Sequence, residues 1–227
     1  MILRIIVFFA LLQSAVLTAA APKPHVLTFG KWTTVQWHAE SGSPLMLKVR
    51  GLYLDDRLKE FTFGLPHEIT DHLFVVRRAF RVNDALPQEA AVAPRWEWQP
   101  GGWLLVDRVT GHVSQIALPE FDPYYSAASW YRDYIAYCGI SDDGKKLSAV
   151  VTQLGHRKAL LKKALGETKQ ESMGADCPTP TWQRRPARVT FYAGEIQAAT
   201  YAVHGHAAEA VIEQTPGDEE AEDKATE

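Results

Sequence analysis

Hydrophobic and polar residues alternate with a period of two along most of the chain. In residues 73–82 one set of alternate positions is mostly apolar (Phe74, Val76, Phe80), and the other set carries Arg77 and Arg81. This alternation is typical of a β-strand with one apolar face and one partly charged face. Eight further segments are rich in Val, Thr, Tyr, Trp and Leu and are bounded by turn residues: 31–39, 45–54, 103–108, 112–118, 130–138, 147–154, 188–192 and 196–203.

One segment favours a helix. Residues 159–166 read Ala-Leu-Leu-Lys-Lys-Ala-Leu-Gly and end at a glycine of the kind that closes helices. The alternative for these residues is a strand that continues into a charged loop. Residues 83–94 and 167–180 are predicted to be loops. Many short strands with frequent turns predict an all-β fold built from antiparallel sheets, as a sandwich, a barrel or a propeller.

Two hairpin patterns favour the propeller. Residues 102–118 read as a strand, a Thr110-Gly111 turn and a second strand, and residues 130–151 contain the turn Ser141-Asp-Asp-Gly-Lys145 between two apolar strands. The second pattern resembles the repeats of TolB-like β-propellers, and together the two cover residues 102–154. The resemblance implies blades of four antiparallel strands. A β-sandwich is the alternative architecture.

The N-terminus predicts export. Arg4 is followed by an unbroken apolar run and then by small residues that end in Thr18-Ala-Ala20. This order is that of a secretory signal peptide, which we place at residues 1–20. The alternative, an uncleaved membrane anchor, is disfavoured because Gln13 and Ser14 interrupt the apolar stretch. No later segment is apolar enough to span a bilayer, so we expect a periplasmic or extracellular protein.

Charge divides the rest of the chain into a body and a tail. Residues 208–227 hold eight acids and one base, a net charge of −7, whereas the body has a net charge of about +3. An acidic segment without aromatic residues cannot bury enough apolar area to offset its chain entropy. We therefore predict one all-β domain at residues 21–207 and a disordered acidic tail at residues 208–227. The bases of the body are few and scattered, which argues against nucleic acid as a partner.

Two cysteines remain after the signal peptide, Cys138 and Cys177. In an oxidising compartment a lone pair most simply forms one disulfide. A reactive cysteine is the alternative, but neither residue lies in a motif that supports it. We predict a Cys138–Cys177 disulfide.

Aromatic residues are the best candidates for a binding surface, because the chain has seven tryptophans. Exposed rings can stack on sugars or on peptide side chains. The alternative is that these rings pack between sheets, and the spacing of two between the first pair of indoles fits a core-facing strand equally well. The candidate ligand-binding residues are Trp96, Trp98, Trp103, Tyr124, Tyr125 and Trp130.

Motifs for catalysis are absent from the sequence. There is no nucleophile elbow, zinc-protease motif, phosphate-binding loop or dinucleotide fingerprint. The acidic pairs Asp55-Asp56 and Glu120/Asp122 could flank a glycosidic bond, and His204 with His206 could bind a metal, but no further ligand is nearby. No metal or cofactor is therefore implied. We expect a non-catalytic binding or scaffolding protein of the cell envelope, whose partner is an envelope protein, a peptide or a glycan. The alternative is a hydrolase that acts on envelope glycans or peptides.

Overall fold

The structure, a computed structural model, describes residues 25–38, 44–85, 94–167, 178–193 and 197–210. The predicted signal peptide, Cys177 and residues 211–227 lie outside the described residues. Within them, all regular secondary structure is β-strand and all strand pairs are antiparallel, which confirms the predicted all-β class. No helix long and apolar enough to cross a bilayer occurs in these ranges.

The described ranges contain fifteen strands, which form one seven-stranded and two four-stranded sheets. Their bounds are β1 Leu27–Phe29, β2 Thr33–His38, β3 Pro44–Leu54, β4 Arg57–Glu68, β5 Leu73–Asn83, β6 Trp96–Asp107, β7 Val113–Ile116, β8 Ala128–Tyr131, β9 Tyr134–Ile140, β10 Lys146–Gln153, β11 Leu161–Glu167, β12 Thr181–Arg184, β13 Ala187–Ala193, β14 Gln197–His204 and β15 Ala207–Ala210.

The first sheet has the strand order β1-β3-β4-β5-β6-β7, and β2 pairs with the N-terminal half of β3. The β3–β4 hairpin turns at Asp55 and Asp56, whose φ angles of 50° and 62° are those of a two-residue hairpin turn. On one face, Leu52, Phe74 and Val76 are buried side by side. These residues belong to β3 and β5, two strands whose alternating pattern is visible in the sequence.

The middle sheet has the order β11-β10-β9-β8, and both of its faces are covered. Side chains of β9 alternate between the two faces. Ile135 and Tyr137 pack against Val75 of the first sheet, whereas Ala136 and Cys138 pack on the other side. A strand buried on both faces reads as a continuous apolar run, which is what β9 shows.

The third sheet has the order β12-β13-β14-β15 and covers the second face of the middle sheet. Phe191 and Tyr201 form an edge-to-face ring pair with centroids 6.0 Å apart. Val189 and Val203 complete this apolar layer. The three sheets are thus stacked, with the middle sheet at the centre.

Two of the predicted elements are wrong. Residues 159–166 do not form a helix, because Leu161 and Lys162 pair with Val151 and Val150 of β10, and Leu161 is buried in the core. Residues 130–138 are not one strand, because the chain turns back at Arg132, whose φ angle is 53°. The β8–β9 hairpin takes the place of that single strand.

The hairpins that carry the resemblance to propellers are present, but they belong to different sheets. β6 and β7 end the first sheet, whereas β9 and β10 are the central strands of the middle sheet. The four-stranded meanders are instead β8–β11 and β12–β15. The relation to TolB-like blades therefore stays a prediction. The third sheet extends through Ala210, three residues into the segment predicted as a tail.

Candidate functional site

Trp96 and Trp98 lie on the same face of β6, at the end of the first sheet that is remote from its buried core. Their partners across the β5–β6 pair are Asn83 and Arg81. Trp96 is 56% exposed, and Trp98 is half-buried. The two-residue spacing in the sequence therefore corresponds to a shared face that is not closed off from solvent.

Arg81 organises this face. Its guanidinium carbon lies 5.6 Å from the ring centre of Phe61, 5.6 Å from that of Trp96 and 5.4 Å from that of Trp98. Phe61 also meets Trp98 edge-to-face, with centroids 4.9 Å apart. Attraction between the cation and the negative ring faces holds the group together. We call Phe61, Arg81, Trp96 and Trp98 the aromatic–arginine surface.

Tyr124 and Tyr125 lie in the loop between β7 and β8. The carboxylate of Asp122 accepts hydrogen bonds from the backbone N–H groups of both tyrosines, at 2.7 and 3.3 Å. Tyr124 is 38% exposed and packs against Trp37 of β2, with ring centroids 5.7 Å apart. The two tyrosines are therefore fixed by the loop and form a second aromatic group, next to β2.

β2 approaches β6 although the two strands are not paired with each other. His38 Nδ1 lies 3.6 Å from the Glu97 carboxylate, between the two exposed indole positions of β6. The sheet must curl to bring its β2 side close to β6. This curl brings the loop aromatic group and the aromatic–arginine surface to the same end of the sheet.

Trp103 and Trp130 belong to the packing between the first and middle sheets. Trp103 is only 7% exposed, and the two indoles meet edge-to-face at 5.4 Å. His67 stacks on Trp130 at 5.9 Å and its Nε2 lies 2.8 Å from the carbonyl oxygen of Arg132. For these two of the six candidate residues, the structure shows the packing role that was the alternative interpretation.

Arg77 is a site residue that the sequence pattern did not single out. It lies under the loop aromatic group, where its guanidinium faces Phe63, Trp103 and Phe121 at 5.0 to 5.6 Å. Burial lowers the pKa of this guanidinium to about 10, so it stays charged at neutral pH. Its position on the partly charged face of β5, between the apolar Val75 and Ala79, was the available signal.

The acidic pairs named as hydrolase candidates have structural partners. Glu120 forms an ion pair with Lys162 at 2.7 Å, and Asp122 caps the tyrosine loop. Asp55 forms the β3–β4 turn and lies 2.8 Å from His25. Each of these carboxylates is thereby accounted for by local structure.

The histidines of β14 and its turn also have local contacts. His206 packs against the ring of His156 at 4.7 Å and pairs with the side-chain oxygen of Gln153 at 2.6 Å. His204 is exposed at the end of β14. Within the described ranges, no three His, Cys, Asp or Glu side chains come together as a metal site.

A cleft opens where the first and middle sheets meet. Its volume is about 320 Å³, and its walls include Ile116, Leu118, Trp130 and Ile135, with His156 and Arg157 at the polar side. Sequence comparison gives no precedent for this cleft or for the aromatic–arginine surface. No protein-family model matches the chain. A search of curated proteins finds no significant match either.

Proposed function

We propose that this protein is an exported, non-catalytic binding protein of the cell envelope, and that the aromatic–arginine surface holds its ligand. The observation that carries the proposal is the exposure of Trp96 beside Arg81 and Trp98. Trp96 is 56% exposed and is grouped with Trp98 and Phe61 around Arg81, and contiguous apolar surface of this kind marks binding sites more than single exposed side chains do. The N-terminal signal pattern supports the exported location.

Glycans are the ligand class that this surface fits best. The axial C–H bonds of a sugar ring carry partial positive charge, and they pack favourably on the negative face of an indole. A guanidinium adds several N–H donors, which can bind ring and hydroxyl oxygens. Trp96 and Arg81 together offer both kinds of contact on one face.

The contacts that the candidate carboxylates make favour binding over hydrolysis. A glycosidase needs two carboxyl groups on either side of the scissile bond. The nearest acid to the aromatic–arginine surface in sequence, Glu97, contacts His38, and the other acids named as candidates stabilise turns or ion pairs. We therefore place the hydrolase second. A scaffolding role, which the sequence also predicts, would need only an envelope protein as the partner.

The test is a glycan array followed by calorimetric titration of the oligosaccharides that bind. We expect Trp96→Ala to weaken binding at least about tenfold, because stacking on an exposed indole contributes about 1–3 kcal/mol by analogy with base stacking. Tyr192→Ala is the control, since Tyr192 is an exposed aromatic residue on β13 of the third sheet, outside both proposed surfaces. Equal binding by Trp96→Ala and wild type would refute the proposed surface, and release of shorter sugars would support the hydrolase instead.

A further inference from the structure

The first sheet has an open strand edge beside β2. β3 pairs with β4 only from Val49 to Leu54, and β2 occupies the opposite edge of β3 from Pro44 to Val49. Residues 44–48 of β3 have a second edge, on the side of β4. This edge pairs with no strand in the described part of the chain. Unpaired N–H and C=O groups on such an edge can pair with another extended chain.

β4 leaves the ladder at the same level. Its register with β5 shifts between Phe63 and His67, and Gly64 has a φ angle of 70° and no atom within 4 Å of where a side chain would start. This bulge spreads β4 away from β3. A groove of about 430 Å³ results, lined by Trp32, Thr34, Lys48, Gly64 and Leu65.

Apolar side chains border the groove. Leu65 is 80% exposed, Met46 is 62% exposed and Trp32 is 43% exposed. Because alternate residues of a strand share a face, Met46 and Lys48 lie on the same side of β3, and Thr34 of β2 pairs with Lys48. The groove itself therefore presents the apolar Trp32 and Leu65 beside the polar Thr34 and Lys48, and Met46 extends the exposed face of β3 beyond this lining.

The charge of the groove is positive. Lys48 lines it, and no lining residue is acidic. Arg50, the next residue on that face, places its guanidinium 3.8 Å from the ring centre of Phe29 and 4.2 Å from that of Trp32. Its Nε is buried without a hydrogen-bond partner in the described ranges. A carboxylate-bearing ligand would complement these two cations.

We propose that this open edge of β3 binds an extended acidic peptide segment of a partner protein as an added strand. Backbone pairing along residues 44–48 supplies affinity, and Lys48 selects acidic side chains, as in other cases of strand addition. A second copy of this chain fits less well, because both copies would bring their own Lys48 and Arg50 to one sheet face. The site lies apart from the aromatic–arginine surface and does not depend on the proposed glycan ligand.

The experiment measures fluorescence anisotropy of a labelled eight-residue peptide that alternates valine and glutamate, with full-length protein at low ionic strength. We expect the wild-type protein to bind this peptide, and Lys48→Glu to bind it at least about tenfold more weakly. A second peptide that alternates valine and lysine should bind Lys48→Glu more tightly than it binds the wild type. Lys163→Glu is the matched control, because Lys163 is an exposed lysine on β11 of the middle sheet. A valine–glutamate peptide with N-methyl groups on alternate residues should bind weakly, because it cannot pair its backbone.

Several results would overturn the inference. One is that neither the valine–glutamate nor the valine–lysine peptide binds at a protein concentration of about 1 mM, because a dissociation constant above that value is too weak for specific recognition. Another is that Lys48→Glu and Lys163→Glu weaken binding equally, which would show only the general charge of the protein. Equal binding of the N-methylated peptide would exclude backbone pairing, and a concentration-dependent dimer in light scattering would assign the edge to a second copy. Trp96→Ala should bind the peptide normally, so that the glycan proposal can fail without affecting this one.

Discussion

Replacing Arg77 by lysine should destabilise the protein about as much as replacing it by methionine, although lysine keeps the positive charge. Arg77 Nε donates to the carbonyl oxygen of Gly101 at 3.1 Å, and Nη2 donates to that of Pro123 at 3.0 Å. The two acceptors lie on different segments, the β6 strand and the tyrosine loop. Only the forked guanidinium can bind both at once, since a lysine ammonium is a compact point charge.

The magnitude follows from two opposing contributions. Hydrogen bonds from a charged donor contribute about 1.5–3 kcal/mol each, so the pair contributes about 3–6 kcal/mol. The lowering of the Arg77 pKa to about 10 corresponds to a burial cost of roughly 3 kcal/mol for the charged form. Methionine loses both bonds but removes this cost, which leaves a net loss of about 0–3 kcal/mol. Lysine keeps most of the cost and loses one bond, so its net loss is about 2 kcal/mol.

Urea unfolding at pH 7, followed by tryptophan fluorescence and circular dichroism, gives the free energy of unfolding of wild type, Arg77→Lys and Arg77→Met. The slope against urea should be the same for all three proteins, so that the midpoints report stability. If Arg77→Lys is within about 0.5 kcal/mol of wild type, the two-carbonyl geometry does not matter. If Arg77→Met is the less stable variant by more than about 1 kcal/mol, the charge itself stabilises the protein.

Three further predictions concern other parts of the chain. Burial raises the pKa of Tyr137, so folding keeps its hydroxyl neutral, and stability should fall as the pH rises above 10.0, the ordinary value; Tyr137→Phe should flatten that fall in alkaline urea titrations. A hydrogen bond from Arg108 lowers the pKa of Glu68, so this pair stabilises above pH 4.5 and less as the pH falls; Glu68→Gln should show a shallower acid dependence of the melting temperature. Non-reducing peptide mapping should show Cys138 joined to Cys177, and reduction should lower stability by about 2–4 kcal/mol.

Each of these expectations has a clear contrary result. Identical alkaline slopes for wild type and Tyr137→Phe would show that its burial does not govern the slope. An unchanged acid profile of Glu68→Gln would mean that solvent screens this exposed pair completely. Two free thiols in the mapped peptides would remove the disulfide from the account of stability.

The period-two pattern predicted most of the fold because burial on one face leaves a clear alternation. It found β5 and β10 nearly to the residue, and it placed β3 correctly. It missed β4, in which Gly64 and Pro66 interrupt the alternation at the bulge. Short edge strands such as β1 and β12 carry too few residues to show a period at all.

The wrong helix at residues 159–166 has a specific cause. β11 is an edge strand in which Lys162 and Lys163 are both exposed, and the apolar residues fall at Leu160, Leu161 and Leu165. This spacing imitates one face of a helix. Pairing with β10 decides the outcome, and such long-range pairing cannot be read from a short window.

The candidate site was predictable only in part, for a similar reason. The sequence places Trp96, Trp98 and Trp103 within eight residues, but it does not show which end of β6 lies under the middle sheet. Burial of Trp103 and exposure of Trp96 follow from that long-range packing. Arg81 was visible as a charge in β5, and its position opposite Trp98 depends on a register shift between Arg77 and Ala79.

A difference in strand length explains why both proposed surfaces lie on the first sheet. Its strands β3 to β6 have 11 or 12 residues, whereas β9 and β10 of the middle sheet have 7 and 8. An excess of about four residues, at about 3.3 Å each, leaves more than 10 Å of strand beyond the sheet that covers it. The residues of β6 that pack against the middle sheet, Trp103 and Leu105, follow its glycine pair and lie in the covered part. Trp96 and the open β3 edge at Met46 are exposed at opposite ends of the paired strands. Through the registers, Val49 of β3 lies level with Trp103 of β6, so Met46 lies beyond Trp103 on the side away from Trp96. The exposed apolar residues at these two strand ends lie outside the core clusters, and they are the residues on which the two binding proposals rest.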